Sequence, residues 1–152
     1  MTINLKNFLN TKPKISKMGE FQELKPIDGL EISSYSADLY KNGRDDIALF
    51  YFKEGANYAA LYTTNSITSQ TIEWNKKSNK SFTKGLLVNT KNANTFTGDN
   101  GLESIDVLAK NLSRILTIRE SKSDEGVSET VKIKDLLFAS TGVIGEKFPT
   151  EK

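Results

Sequence analysis

Two short apolar and aromatic runs lie close together in the first half of the chain. They cover residues 45–52 (DDIALFYF) and 58–64 (YAALYTT). The residues between them are mostly polar and include Gly55, which is typical of a loop joining two antiparallel strands. We therefore predict a β-hairpin from these runs. Residues 67–74 form a weaker strand candidate, and the polar residues 75–81 that follow are predicted to be a solvated loop.

A continuous apolar run at residues 85–89 predicts a strand buried on both faces. After a polar turn, apolar residues recur every three or four positions, which is the pattern of an amphipathic helix. These positions are Leu102, Ile105, Leu108, Ala109, Leu112, Ile115 and Leu116. We place this helix at residues 100–116, with Asn100 and Glu103 at the spacing of a capping box. Residues 136–139 predict a second buried strand, so the expected fold is α/β, with a sheet layered against helices.

The composition indicates an ordinary globular protein with one main domain. The chain has 152 residues, of which 37% are hydrophobic, and its formal net charge is +2. A chain of this length can bury a core without disulfides or a metal. We assign residues 1–22 to a basic N-terminal extension and residues 23–152 to the folded part.

The composition also disfavours several classes of function. The chain contains no cysteine and no histidine, which removes thiolate catalysis, the usual general base and the commonest metal ligands. We expect no metal and no cofactor. No apolar run approaches the roughly 20 residues that cross a bilayer, and no secretory signal is recognisable, so we expect a cytoplasmic protein without a membrane partner. The lysines of residues 75–81 lack interleaved aromatic residues, so we expect no nucleic-acid partner.

Residues 139–145 (ASTGVIG) place hydroxyl groups and a glycine directly after the second predicted strand. Gly142 has no side chain, so its backbone N–H can approach a ligand closely, and the Thr141 hydroxyl offers a second donor. Such a pair is suited to an oxyanion hole, which stabilises the negative charge that develops during acyl transfer. The alternative is an ordinary turn at the end of a strand, whose hydroxyls bond local backbone groups.

The polar segment at residues 89–101 also has two interpretations. In the first, Asn92 and Asn94 contact the substrate together with the positive end of the following helix. In the second, the asparagine side chains hydrogen-bond to nearby backbone and stabilise a turn. The residues alone do not choose between these interpretations.

Together with residues 60–65 (ALYTTN), the order of these motifs resembles the bifunctional ornithine acetyltransferase / glutamate N-acetyltransferase family, specifically its N-terminal, alpha-chain part. The resemblance covers residues 24–152. It implies the fold of the self-processing acetyltransferases and aminopeptidases, a sandwich of β-sheet and helices. It also implies that Thr141 and Gly142 form the oxyanion hole.

In that family, a precursor cleaves itself before a threonine, and the new N-terminal threonine takes the acetyl group with help from its own α-amine. The resemblance therefore implies transfer of acetyl from N-acetylornithine, or from acetyl-CoA, to glutamate in arginine biosynthesis. The family's threonine lies well beyond the Thr-Gly motif, so we expect residues 23–152 to be an incomplete alpha chain that is inactive alone. The implied partner is the downstream beta segment of the same precursor, in a hetero-oligomeric enzyme.

The sequence departs from the family pattern at two places. Where the family usually has Asn-Ser-Gly-Asn-Ala-Asn, this chain has NTKNAN, so Lys91 replaces a glycine, which matters if that position needs a positive φ. Residues 117–130 are longer and more charged than the usual link, and we interpret them as a surface insertion. Residues 63–65 (TTN) match the family and either shape the site or cap a strand edge. A related self-processing aminopeptidase and a stand-alone, non-catalytic binding module are the alternative functions.

Overall fold

The computed structural model describes residues 25–78, 80–122 and 130–151. These residues form a four-stranded mixed sheet with helices packed on it. The strands, in their spatial order, are β1 (Leu30–Tyr35), β2 (Ile47–Asn57), β3 (Phe82–Asn89) and β4 (Leu136–Ser140). The helices are α1 (Gln70–Lys77) and α2 (Gly98–Ser121), and a 3-10 turn (Ile133–Asp135) leads into β4. The predicted α/β class is confirmed.

Parts of two segments singled out in the sequence lie outside the described residues. These are the N-terminal extension at residues 1–22 and residues 123–129 of the expected insertion. Residues 117–121 of the expected insertion instead continue α2. Within the part of the chain that the structure describes, no helix has both the length and the apolar character needed to cross a membrane.

The sheet combines antiparallel and parallel pairing. β1, β2 and β3 pair antiparallel, whereas β3 and β4 pair parallel. A parallel pair needs a crossover connection, and α2 supplies it. As a result, β3 and β4 end side by side, with Asn89 opposite Ser140. This pairing brings the two polar segments singled out in the sequence to one edge of the sheet.

The predicted hairpin between residues 45–52 and 58–64 is wrong. β2 continues through the proposed loop, and residues 58–64 form no strand. Its neighbours are β1, which the sequence pattern did not reveal, and β3. Gly55 has a φ of +76° and lies where the register of β2 against β3 shifts, between Tyr51 and Ala56. The polar residues that indicated a loop therefore belong to a bulged strand.

The predicted strand at residues 67–74 is also wrong, because most of this run forms α1. Ser69 is the N-cap, and its side-chain oxygen accepts a hydrogen bond from the Ile72 N–H at 3.4 Å. Glu73 lies in the first turn and two lysines lie in the last turn. These charges complement the helix dipole, so the capping signals outweigh the strand propensity of the apolar residues.

The helix predicted at residues 100–116 is confirmed, but α2 extends further in both directions. The N-cap is Thr97 and Asn100 lies inside the first turn, so the capping box with Glu103 is not formed. The buried positions of α2 include most of the predicted apolar stripe: Ile105, Ala109, Leu112 and Leu116. The stripe therefore faces the sheet, as its spacing predicts.

The helices cover one face of the sheet. Tyr51, Leu136 and Phe138 point from the strands into the core, where they pack with the buried stripe of α2. Trp74 of α1 meets Phe138 edge to face, with 5.8 Å between the ring centroids. This layer of helix and sheet contains the hydrophobic core of the described residues.

The opposite face of the sheet, which we call the open face, is also apolar. Because side chains alternate along a strand, residues between the core positions point to this side. They are Ile32 of β1, Phe50 and Phe52 of β2, Leu86 and Val88 of β3, and Leu137 of β4. None of these side chains is buried, and Ile32 is 62% exposed. Within the described residues the helices cover only one face of β3 and β4, so burial of their second face stays a prediction.

Lys84 of β3 and Glu120 of α2 form a buried ion pair. Their charged atoms are 3.1 Å apart, and the side chains are only 6% and 12% exposed. The Tyr51 hydroxyl donates to the same carboxylate oxygen at 2.6 Å, and the Lys84 ammonium also donates to the Lys53 carbonyl at 2.6 Å. Burial and the hydrogen bond to Glu120 raise the pKa of Tyr51 above its ordinary value, so the phenol stays protonated and remains a donor.

Replacing Lys84 by alanine is expected to lower the free energy of unfolding by about 3 kcal/mol, because it removes the cation that compensates a desolvated carboxylate. The matched control is Lys53→Ala, which removes an exposed pair with Glu31 and is expected to cost less than about 1 kcal/mol. Urea unfolding followed by the fluorescence of Trp74, the single tryptophan, measures both losses. Equal losses for the two variants would contradict a stabilising role of the buried pair.

Candidate active site

Two segments lie side by side where β3 and β4 end. The asparagine loop comprises residues 90–96, after β3, and the threonine–glycine turn comprises residues 141–145, after β4. Backbone hydrogen bonds continue the parallel pairing beyond the strands. They run from Thr141 N–H to the Asn89 carbonyl (3.1 Å), from Val143 N–H to the Lys91 carbonyl (2.6 Å), from Ala93 N–H to the Val143 carbonyl (3.0 Å) and from Gly145 N–H to the Thr95 carbonyl (2.8 Å). The structure thus brings the two predicted site segments together.

The two predicted oxyanion donors lie exposed on the threonine–glycine turn. The pairing with the asparagine loop uses the N–H groups of Thr141 and Val143, which flank Gly142. Within the described residues, neither the Gly142 N–H nor the Thr141 hydroxyl forms a hydrogen bond. An N–H bonded within the sheet would have excluded the oxyanion role, whereas these two donors are available to a ligand.

Gly142 is required by the contact between the two segments. Its φ of +136° lies in a region that residues with a side chain rarely adopt. A Cβ at this position would overlap the carbonyl group of Lys91 and come within 2.6 Å of the Asn92 nitrogen. Glycine therefore lets the turn lie directly against the backbone of the asparagine loop.

Asn92 is buried and connects the asparagine loop to the end of the turn. The side chain is 3% exposed, and its amide nitrogen donates to the carbonyl oxygens of Glu146 at 2.8 Å and Lys147 at 3.3 Å. Its side-chain oxygen accepts a hydrogen bond from the Asn94 N–H at 2.8 Å. The hydrogen-bonding groups of this amide are therefore all engaged within the protein.

Asn94 is fully buried and connects the asparagine loop to both helices. Its amide nitrogen donates to the Gly101 carbonyl at 3.1 Å, and its oxygen accepts from the Thr97 hydroxyl at 2.8 Å. Its backbone carbonyl accepts from the Gln70 N–H at 2.9 Å. This geometry favours the interpretation that Asn92 and Asn94 fix the loop, and direct contact of either side chain with a substrate stays a prediction.

A hydrogen bond that the sequence did not reveal joins the ends of the two parallel strands. The Ser140 hydroxyl donates to the side-chain oxygen of Asn89 at 2.7 Å. The Asn89 amide nitrogen donates in turn to the Asn92 carbonyl at 2.9 Å. Each of the two apolar runs ends in a polar residue, which is a detectable signal. It becomes informative only once the strands are known to be neighbours.

Lys91 has a φ of +74°, in the left-handed region. A residue with a Cβ is strained there, whereas glycine is not. The position where the family has glycine therefore does adopt a positive φ in this chain. The Lys91 ammonium lies 3.6 Å from the Glu146 carboxylate, but both side chains are exposed, so this pair contributes little.

Replacing Lys91 by glycine is expected to raise the free energy of unfolding by about 0.5 to 1 kcal/mol, because relief of the left-handed strain exceeds the entropy that glycine gains in the unfolded chain. Lys91→Ala is the control. It keeps the left-handed backbone strain and removes only the exposed ion pair with Glu146, so no gain of stability is expected. Urea unfolding measures both variants. A loss of stability in Lys91→Gly would show that the lysine side chain outweighs the strain.

Residues 63–65, the Thr-Thr-Asn match, are exposed and form a local turn. The Asn65 N–H donates to the Thr63 hydroxyl at 3.1 Å, and the Asn65 side chain accepts from the Ile67 N–H at 2.9 Å. No strand leads directly into them, because β2 ends at Asn57 and residues 58–64 form none. The interpretation that they cap a strand edge is therefore wrong, and a role in shaping the site stays a prediction.

Two cavities of the described residues lie near the sheet, and neither is lined by the threonine–glycine turn. The first, about 590 Å³, lies between α1, α2 and the segment before β4. The smaller, about 30 Å³, lies beneath the strand ends and is lined by Asn89 and Ser140 among others. The two donors thus lie on an open surface, and a substrate pocket there needs further walls.

Comparison with known proteins identifies the family of this chain. The model of the ArgJ family matches residues 31–152. The Arginine biosynthesis bifunctional protein ArgJ of Caulobacter vibrioides is 30% identical over 129 residues, which cover 82% of this chain and 29% of that protein. The chloroplastic ArgJ protein of Ostreococcus lucimarinus is 34% identical over 127 residues, or 82% of this chain and 25% of that protein. The chain thus spans less than a third of these curated relatives.

Two solved structures share the fold. The arginine biosynthesis bifunctional protein ArgJ of Bacillus halodurans has a TM-score of 0.65 at 22% identity, over 82% of this chain and 59% of that one. Ornithine acetyltransferase of Mycobacterium tuberculosis, solved in complex with ornithine, has a TM-score of 0.69 at 21% identity, over 82% of this chain and 61% of that one. The fold and the family match agree with the resemblance of the motifs. The chain therefore belongs to the ArgJ family.

Proposed function

We propose that this chain is the N-terminal, alpha-chain part of an ornithine acetyltransferase and that Thr141 and Gly142 form its oxyanion hole. The observation that carries the proposal is that the two donors are accessible and have no hydrogen-bond partner within the described residues. Both are exposed, neither forms a hydrogen bond within the described residues, and both lie on a turn that the asparagine loop fixes. Family membership supports acetyl transfer as the reaction, since a solved relative is an ornithine acetyltransferase complexed with ornithine.

The proposed reaction has two half-reactions. In the first, a threonine oxygen attacks the acetyl carbonyl carbon of N-acetylornithine, or of acetyl-CoA, while the threonine proton passes to its own α-amine. The carbonyl electron pair moves onto the oxygen, where Thr141 and Gly142 stabilise the charge. The bond from this carbon to the leaving group breaks, and ornithine or CoA departs with the proton. In the second, the amine of glutamate attacks the acetyl-threonine through a similar oxyanion. The bond between the acetyl carbon and the threonine oxygen breaks, a proton from the amine passes to that oxygen, and N-acetylglutamate is released.

The proposal places the attacking threonine on a segment outside these 152 residues. The open face supports a partner, because contiguous exposed apolar patches of this kind mark interaction surfaces. We propose that the beta segment of the same precursor covers the open face and brings its threonine to the turn. The assembled enzyme, by which we mean this chain together with that segment, is a hetero-oligomer, and its cytoplasmic location stays a prediction.

The chain in isolation is expected to self-associate or to be only marginally stable, because the open face exposes apolar side chains from all four strands. Addition of the beta segment, in the same polypeptide or as a second chain, is expected to give a defined and stable species. Sedimentation together with thermal melting measures both states. A monomeric chain that unfolds cooperatively and is unaffected by the added segment would favour a stand-alone binding module.

The assay that tests the proposed function measures acetyl transfer from N-acetylornithine to glutamate. Sequencing the gene past residue 152 supplies the beta segment for co-expression. The chain alone is expected to show no turnover, because an oxyanion hole provides no nucleophile. The assembled enzyme is expected to form N-acetylglutamate. Turnover by the chain alone, or none by the assembled enzyme, would contradict the proposal.

A further inference from the structure

The side chain of Asn92 holds the protein segment that follows the threonine–glycine turn. Its amide nitrogen donates to the Glu146 carbonyl at 2.8 Å and to the Lys147 carbonyl at 3.3 Å. Its oxygen is fixed by the Asn94 N–H at 2.8 Å, which sets the direction of the amide. Since the side chain is only 3% exposed, water competes little for these bonds.

The backbone around Asn92 holds the other end of the same turn. The Lys91 carbonyl accepts from the Val143 N–H at 2.6 Å, and the Ala93 N–H donates to the Val143 carbonyl at 3.0 Å. Gly142 lies directly against this stretch, since a Cβ on it would come within 2.6 Å of the Asn92 nitrogen. The asparagine loop therefore holds the turn at two places. Its backbone bonds to Val143, beside Gly142, and the Asn92 side chain bonds to the backbone beyond Gly145.

Few other contacts fix the turn. Residues 141–147 are all exposed, and Phe148 is the next buried residue. Apart from the bonds made by the residues around Asn92, the described backbone bonds to this stretch are those of Thr141 to Asn89 and of Gly145 to Thr95. A turn with so little burial would otherwise sample several conformations, whereas oxyanion donors act only when they are fixed in advance.

We propose that Asn92 is a positioning residue for the oxyanion donors of the threonine–glycine turn. The inference rests on the proposed function, because it assigns Asn92 a role in holding Thr141 and Gly142 where charge develops. Asn92 touches no reacting atom in this role. Its amide acts on the reaction through the Glu146 and Lys147 carbonyls and through the backbone that packs against Gly142.

The choice of asparagine is chemically specific. An aspartate has the same shape and keeps an acceptor for the Asn94 N–H, but it offers no donor to the two carbonyl oxygens and places a negative charge beside them. Asn92→Asp therefore removes the bonds to Glu146 and Lys147 with little change in volume. Ser113→Ala is the control, since it deletes a side-chain hydrogen bond to the Val131 carbonyl, in the contact between α2 and the segment before β4.

The test combines hydrogen exchange with kinetics, both on the assembled enzyme. Exchange measured by mass spectrometry is expected to be at least about tenfold faster at residues 141–147 in Asn92→Asp and Asn92→Ala than in Ser113→Ala, with β2 unchanged. In the acetyl-transfer assay, both Asn92 variants are expected to lower kcat by about 10- to 100-fold with KM within twofold, as small misplacements of catalytic donors do. Ser113→Ala is expected to retain the kcat of the unmodified enzyme.

The outcomes separate this inference from the proposed function. Exchange at residues 141–147 equal to that of Ser113→Ala would overturn the positioning role, and so would faster exchange with an unchanged kcat. If Thr141→Ala lowers kcat but the Asn92 variants do not, the proposed function stands and the inference fails. An unmodified assembled enzyme without acetyl transfer would overturn both.

Discussion

Replacing Thr141 by alanine is expected to lower kcat for acetyl transfer in the assembled enzyme by about 10² to 10³-fold, with little change in the stability of the fold. The side chain is exposed and its hydroxyl forms no hydrogen bond within the described residues, so its loss leaves the native contacts intact. The hydroxyl acts when the oxyanion forms, and the loss should therefore fall on kcat. Steady-state kinetics and thermal melting of the same preparation measure the two effects separately.

Thr141→Ser is the matched control, because it keeps the hydroxyl and is expected to retain most of the activity. Self-cleavage of the precursor should also slow in Thr141→Ala, since a threonine that breaks a peptide bond passes through a similar oxyanion. Unmodified rates in both reactions would show that Thr141 is only a turn residue. A large loss of stability would show that the structural contribution of the hydroxyl has been underestimated.

Replacing Gly142 by alanine is expected to reduce kcat by at least about 10³-fold, because it displaces both proposed donors at once. The added Cβ overlaps the Lys91 carbonyl group, and backbone atoms cannot move aside as the end of a side chain can. The turn and the asparagine loop must therefore separate. Acetyl-transfer kinetics and hydrogen exchange at residues 141–147 measure the consequence.

Gly145→Ala is the control for Gly142→Ala. Gly145 also has a positive φ, +77°, but no atom lies within 4 Å of a Cβ built there. Its replacement is expected to cost only the left-handed strain, about 1 kcal/mol, and to leave most of the activity. Similar losses of kcat in the two variants would mean that strain in the turn, and not contact with Lys91, explains the requirement for glycine.

The elements that the sequence predicted correctly are those with one consistent local pattern. The apolar stripe of α2 has one consistent spacing, and the cores of β3 and β4 are short continuous apolar runs. The stripe follows from burial of one helix face, whereas a continuous apolar run is typical of a strand with apolar residues on both faces. The strands β3 and β4 are recognisable from the sequence even though their open face is uncovered, since the same residues are apolar whether or not another segment covers them.

The elements that failed carry conflicting local signals. In β2, the polar residues around Gly55 form a bulge, and a bulge with glycine has the composition of a loop. β1 is half polar and largely exposed, so it shows little strand pattern. The eight residues of α1 include apolar side chains that favour a strand, but Ser69 caps the segment and it forms a helix.

At the candidate site, the sequence singled out candidate residues but not their contacts. Asn92 and Glu146 are 54 positions apart, and only the parallel pairing of β3 and β4 brings them together. The same pairing explains why Gly142 must be glycine, which a motif alone does not show. The sequence allows Asn92 and Asn94 to contact a substrate, and the structure gives their side chains partners within the protein. A polar residue type does not reveal whether its partner is a ligand or the protein.

The most direct test of the central claim is to locate the acetyl group after the first half-reaction. The assembled enzyme is incubated with N-acetylornithine in the absence of glutamate, and peptides are then examined by mass spectrometry. We predict one acetyl group on a threonine of the beta segment, none on residues 1–152, and a strongly reduced yield in Thr141→Ala at early times. An acetyl group on a residue of this chain, or a normal rate of acetylation in Thr141→Ala, would contradict the claim that this chain supplies the oxyanion hole and its partner the nucleophile.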